Sequence, residues 1–236
     1  MFLVGTSGYS YKEWCGSFYP DKLSAKLMLP FYAKRFPAVE INATFYRMPS
    51  EKLLAGWVAE TPAEFRFVLK APQRITHMTR LKDVQIALDF FALAETMGSK
   101  FGGALFQLPP NFKQNLERLE TFLAALSKQH RIAFEFRHES WFAADTWALL
   151  KAHNVALCVA DSDDLHTPVV ATADFAYFRL RSTMYDDKAL RDWAKQIASV
   201  TPERGNKEQD AFVFFKHEDS GTGPMFGAQM QKFLGP

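Results

Sequence analysis

Glu40, Lys70, Glu135, Arg137, Asp161 and Arg179 place charges of both signs near the ends of apolar, β-branched and aromatic runs. Strands of a parallel sheet are ordinarily apolar throughout, so charges there ask for an explanation. Alternation puts Glu40, Asn42 and Thr44 on one face of their run and Val39 and Ile41 on the other. Lys70 follows Phe67 and Leu69, Gln107 ends its own run, and Glu135 and Arg137 alternate with Phe134 and Phe136. Tyr177, Arg179 and Arg181 alternate with Phe178 and Leu180, while Asp161 and Lys216 close two further runs. A carboxylate beside fixed cations suits acid–base chemistry on a substrate that develops negative charge. Glu135 is therefore expected as acid or base, with Lys70 and Asp161 completing a catalytic set. Lys70, Arg137 and Arg179 are expected to hold an anion, since the guanidinium fork fits phosphate or carboxylate. Glu40 is assigned the orientation of Lys70 or Arg47. The competing reading is a structural ion-pair ladder filling the lumen.

The elements that must position these groups repeat about eight times. Strands are predicted over Phe2–Ser7, Ala38–Thr44, Phe65–Ala71, Gly103–Leu108, Arg131–His138, Val155–Asp161, Phe175–Arg181 and Ala211–His217. Helices are predicted over Ser50–Glu60, Val84–Met97, Leu116–Ser127, Ala144–His153, Lys188–Val200 and Phe226–Leu234, with a loop and helix before the second strand. Ser162–Asp174 reads as a loop without a helix. Strands separated by crossovers of this length pair in parallel. Eight such units point to an α/β fold, a (β/α)8 TIM barrel formed as a single domain over residues 1–236. No GxGxxG follows a strand, which weakens a dinucleotide-binding sheet. In a barrel the charged faces turn inward and gather at the C-terminal mouth.

Composition narrows the classes. Basic and acidic residues number 28 and 26, so net charge does not advertise nucleic acid as a partner, although a nucleic-acid end stays among the admitted ligands. Cys15 and Cys158 have no CxxC partner and read as reduced thiols in a cytoplasmic protein. The first residues lack a secretory pattern, and no apolar run is long enough to span a membrane.

The segments VGTSGYSYKEWCGSFYP, VEINATFYRMPS, FVLKAPQRITH, FQLPPNF, AFEFRHESWF and YFRLRS occur in order from Val4 to about Gly227. In these motifs the chain resembles the YecE-like family, domain of unknown function seventy-two, and the resemblance implies a TIM barrel without an established reaction. Its characteristic residues fall on Ser7, Gly8, Tyr9, Trp14, Glu40, Asn42, Thr44, Phe45, Tyr46 and Arg47. They continue through Lys70, His77, Gln107, Pro109, Glu135, Arg137, His138, Trp141 and Asp161. Arg181-Ser182 stands where relatives usually carry His-Gly, and Lys216-His217 where they often carry an Asn pair. Both departures are expected on the pocket rim.

Tyr9, Trp14, Asn42, Arg47, His77, His138 and Trp141 join Glu40, Gln107, Arg137, Arg179, Arg181 and Lys216 as expected substrate-binding residues. Aromatic residues after strands could stack on a sugar or base, or simply pack helices on the barrel. No metal ligand and no cofactor are assigned. A divalent metal is the alternative, held by His77, His138 or His217 with Glu135 and Asp161, a donor set similar to metal-dependent barrels such as endonuclease IV and xylose isomerase. Cys15 has no motif-placed partner to activate it. Three functions follow: an enzyme on a small or polymeric anion such as a sugar phosphate, nucleotide or nucleic-acid end; a non-catalytic anion-binding protein; or a metal-dependent hydrolase or isomerase.

Overall fold

Short β-branched and aromatic runs form strands, and the apolar helices between them form the crossovers that parallel pairing needs. The computed structural model describes residues 1–126, 129–201, 210–217 and 221–235. Strands β1 (Phe2–Ser7), β2 (Ala38–Ile41), β3 (Arg66–Lys70), β4 (Phe101–Gln107), β5 (Ile132–Glu135) and β6 (Ala156–Ser162) are followed by β7 (Leu165–His166), β8 (Ala176–Leu180) and β9 (Ala211–Phe215). All but β7 pair in parallel, and the ring closes through β9 on β1 and β5 on β6. The result is a closed eight-stranded barrel. The two-residue β7 folds back antiparallel on β6.

Helices α1 (Ala25–Ala33), α2 (Ala43–Tyr46), α3 (Glu51–Ala59), α4 (Val84–Glu95), α5 (Leu116–Ala124), α6 (Ala144–Ala152), α7 (Asp187–Ser199) and α8 (Thr222–Leu234) connect or follow the strands. Several begin at side-chain caps: Ser50, Asn115 and Asp186 accept hydrogen bonds from backbone N–H groups of the first turn. The predicted second strand stops at Ile41, because Asn42 turns into the helical region and starts α2. The predicted fifth strand ends at Glu135, three residues early. Helix α8 starts at Thr222 rather than Phe226, with Pro224 in the first turn, where its missing N–H costs little. The predicted end of α5 at Ser127 lies outside the described residues. No helix occupies 162–174, as the sequence implied.

Two layers bury the apolar surface. Leu3, Val68, Leu105, Cys158, Tyr177 and Phe214 are among the residues filling the lower lumen. Outside, aromatic-rich clusters join the strands to the helices, including the stacked pair Phe106–Phe134 at 5.3 Å. Between β1 and β2 the Tyr32 hydroxyl is inserted into the ladder. It accepts from Thr6 N at 2.8 Å and donates to Ala38 O at 3.0 Å. Gly5 permits this approach, since a Cβ there would stand 2.0 Å from Ala38 O.

Candidate functional site

Inward alternation above the apolar lumen leaves Ser7, Glu40, Lys70, Gln107, Glu135 and Arg179 in one layer, which the Tyr177 hydroxyl reaches from below. Burial of these polar groups is tolerable only if each is paired. Glu40, Glu135 and Arg179 are at most 1% exposed. Arg179 bridges the two carboxylates, donating Nη2 to Glu40 Oε1 at 2.8 Å and Nη1 to Glu135 Oε2 at 2.5 Å. Glu40 also accepts from Ser7 Oγ at 2.7 Å and Tyr177 OH at 2.6 Å. The expected role of Glu40 in orienting Lys70 or Arg47 is therefore corrected: its oxygens hold Arg179, Ser7 and Tyr177. Glu135 Oε1 accepts from Gln107 Nε2 at 2.8 Å and Arg137 Nε at 3.0 Å, and Arg181 Nη1 lies 3.5 Å away. Although burial opposes ionisation, Arg179, Arg137 and Arg181 hold the Glu135 carboxyl far below the usual range. The same two carboxylates push Arg179 the other way, against its own burial.

Above this layer two cations, Arg137 and Arg181, reach solvent, while Lys70 stays buried within it. Arg137 and Arg181 are 29% and 23% exposed, and Glu135 engages each through a single guanidinium nitrogen. Lys70 donates to Gln107 Oε1 at 2.9 Å, and its ammonium lies 4.1 Å from the centre of the Phe45 ring. Burial, reinforced by Arg179, lowers its pKa to about 8. His77 meets Phe45 edge-on at 5.0 Å and exchanges a hydrogen bond with Thr76. Its pKa is pushed down by burial and then by Lys70, Arg137 and Arg80. Four cations thus surround two carboxylates, an excess of two positive charges at the mouth.

Other expected residues lie elsewhere. Asp161 is opposite Leu180 in the β6–β8 register, whereas Cys158 and Ala160 face the lumen opposite Tyr177 and Arg179. Its carboxylate is taken by His166 Nδ1, Ser182 Oγ and Tyr185 OH at 2.8, 3.0 and 2.7 Å. It is not part of the mouth network. Trp14 and Trp141 are buried in aromatic clusters, with Trp141 Nε1 donating to Phe112 O, so neither presents a face for stacking. His138 caps a short helical turn by accepting from Ser140 N. Tyr9 and Asn42 line a small cavity beside Trp57, and the exposed Arg47 lines a neighbouring one of about 380 Å³. Lys216 follows β9 and is half-buried. His77, His138 and His217 are engaged separately, His217 with Ser182 O at 2.7 Å. Among the described residues no group of three His, Cys, Asp or Glu is placed to hold a metal ion.

Sequence reasoning missed the Asp161–His166 pair, because β7 was invisible in a segment without periodicity. Phe45 was expected among the aromatic residues at the mouth, but not its contact over Lys70. Phe45 lies 25 residues before Lys70, in the short α2 after β2, and nothing local in either segment signals a contact that forms only when β2 and β3 pair.

The comparisons with known proteins agree with this architecture. A family model described as "Protein of unknown function DUF72" matches residues 3–236. The UPF0759 protein YunF of Bacillus subtilis is 26% identical over 274 residues, covering 99% of this chain and 95% of that protein. The UPF0759 protein YecE of Escherichia coli K12 is 28% identical over 145 residues, 61% of this chain and 51% of its own length. The crystal structure of a DUF72 family protein, TM1631 of Thermotoga maritima, is 26% identical and superposes with a TM-score of 0.86 over 99% of each chain.

Proposed function

The chain belongs to the DUF72 family, and from that premise we propose that its barrel mouth binds a phosphate- or carboxylate-bearing ligand, with Lys70 as the group there that exchanges a proton. The observation that carries this reading is the excess of two cations around Glu40 and Glu135, with Arg137 and Arg181 still open to solvent. The described residues give the terminal nitrogens of Arg137 no partner, so its fork is free to take an oxyanion. Sugar phosphates, nucleotides and nucleic-acid ends all carry the required group.

In this reading Glu135 is a fixed anion rather than the acid or base. Both its oxygens are committed to donors, and its depressed pKa makes it a poor proton donor at any ordinary pH. Lys70, at about 8, is matched to proton transfer near neutrality. The complete pairing of both carboxylates equally favours a second reading, a non-catalytic anion-binding protein.

A thermal-shift screen against inorganic phosphate, sugar phosphates, nucleotides and short single-stranded DNA tests the site. Ligand at 100 times its Kd stabilises by about 2.7 kcal/mol, or roughly 5–11 °C at this chain length. The shift is expected to vanish in Arg137→Gln and Arg181→Gln; a shift that survives both places the anion elsewhere. Lys70→Arg then separates the two readings. It is expected to keep binding while abolishing turnover of a bound ligand, and saturable binding without turnover in the unaltered protein establishes the second.

A further inference from the structure

Two connections leave the mouth network side by side. One runs from Lys70 at the end of β3 through a π-helical turn at Arg74–Met78 to Arg80 and Lys82. The other runs from Gln107 at the end of β4 to Arg118 in the first turn of α5. Lys70 and Gln107 are hydrogen-bonded at the roots of these connections, and their far ends meet around a cavity of about 660 Å³. Arg80, Lys82 and Arg118 line it, together with Asp83.

The cations are arranged against their own repulsion. The guanidinium carbons of Arg80 and Arg118 lie 5.8 and 5.5 Å from the centre of one ring, Phe112. None of Arg80, Lys82 and Arg118 forms an ion pair with a described residue, Asp83 included; the hydrogen bond from Arg80 goes to the neutral Asn111 Oδ1 at 3.2 Å. The backbone is also held out of its preferred region. Arg80 and Leu81 both have positive φ, 50° and 66°, in a sequence without glycine there. Leu81 is buried and its N–H donates to Ile75 O, which fixes the bend that turns Arg80 toward the cavity. Strain of this kind gathers at ligand clamps. His77, in the turn that leads to Arg80, links the two groups: its ring packs edge-on against Phe45, the ring that covers Lys70.

The geometry points to a second anion subsite at Arg80, Lys82 and Arg118, contiguous with the mouth, so that the ligand is an extended polyanion with separated phosphoryl groups. This rests on the mouth reading above and specifies its substrate class.

Calorimetric titration of the full chain with inorganic phosphate, pyrophosphate, tripolyphosphate and a longer linear polyphosphate tests it. Arg118→Gln keeps a good helix former, and Arg80→Asn keeps a residue that tolerates positive φ. The expected result is affinity that rises with chain length. Either variant then weakens the longer chains by about tenfold while leaving phosphate unchanged, the loss of one charge-assisted contact. If longer chains bind no tighter, or ignore both variants while Arg137→Gln weakens every probe, the second subsite is overturned and the mouth site stands. If Arg118→Gln weakens phosphate as much as the chains, there is one outer site and not two, which overturns the extension. Failure of every probe to bind the unaltered protein removes the mouth site and the extension together.

Discussion

Lys70 is the residue whose charge the barrel mouth controls most directly. Its pKa falls to about 8 from 10.5 because burial, and then Arg179, disfavour the ammonium. Between those two values the unfolded chain binds more protons at this position than the folded one, so stability rises with pH there. The folded state carries the cost of the buried charge in full below about 8, and that cost is relieved as pH climbs toward 10.5. Thermal midpoints of the unaltered protein and Lys70→Met, taken from pH 8 to 10, are expected to diverge in favour of Lys. The full span corresponds to on the order of 3 kcal/mol; parallel curves would mean that Lys70 is not desolvated. Taking the difference removes the contribution of tyrosines such as Tyr32 and Tyr185, whose raised pKa values act oppositely above pH 10. That Lys70, Glu40, Glu135 and Arg179 share the inward face was legible in the sequence, because a charge in an otherwise apolar strand breaks a strong rule. The same alternation, carried through β6 from Cys158 and Ala160, also turns Asp161 outward, although its position at a strand end suggested otherwise. Which partner each charge takes was not legible, since Glu40 and Tyr177 or Glu40 and Arg179 meet only when the ring closes. Nor does aromaticity report burial: Trp14 and Trp141 carry the composition of a stacking platform and lie in the core.

Elements were read more easily than their ends. Every barrel strand coincides with a predicted run, because β-branched and aromatic residues bounded by turns and helices are a local signal. Ends failed where a polar residue could either continue a strand or start a turn, as at Asn42, which leaves β2 for the short α2. What the local pattern could not carry is the contact between elements, and β1 against β2 is an example. Gly5 looks like an ordinary glycine within a strand, yet the Tyr32 hydroxyl occupies the ladder beside it and Ala38 O fills the space of a Cβ. Gly5→Ala must therefore move β1 away from β2 or expel Tyr32, leaving Thr6 N and Ala38 O short of a partner. A loss of about 1–3 kcal/mol is expected from overpacking alone, read from the denaturant midpoint. An unchanged midpoint would mean that β1 has room that the 2.0 Å approach denies.

At the scale of the whole barrel, closure is uneven, and the charged layer reaches across the seam where closure is weakest. The β1–β9 seam carries five registered pairs and β5–β6 only two. Thr172, from the crossover that lacks a helix, supplies β6 with further bonds, accepting from Leu157 N and donating to Val155 O. Across the lumen Glu135 on β5 is tied to Arg179 on β8, the partner of β6, and through Arg179 to Glu40 on β2. The network therefore clamps the strands on either side of the short seam, which gives the buried ladder a structural role beneath the exposed cations of the mouth. Glu135→Gln leaves Arg179 buried with one carboxylate instead of two, a change of the kind that costs about 3–5 kcal/mol when a buried pair is broken. Part of that loss is global and speeds exchange everywhere. The clamp adds a local part, so amides of β5 and β6 are expected to lose more protection against hydrogen exchange than those of β1 and β9. Equal losses around the ring would separate the network from the seam and leave it as a contribution to overall stability alone. A larger loss at β5 and β6 would show that the same salt bridges that tune the mouth also keep the barrel shut.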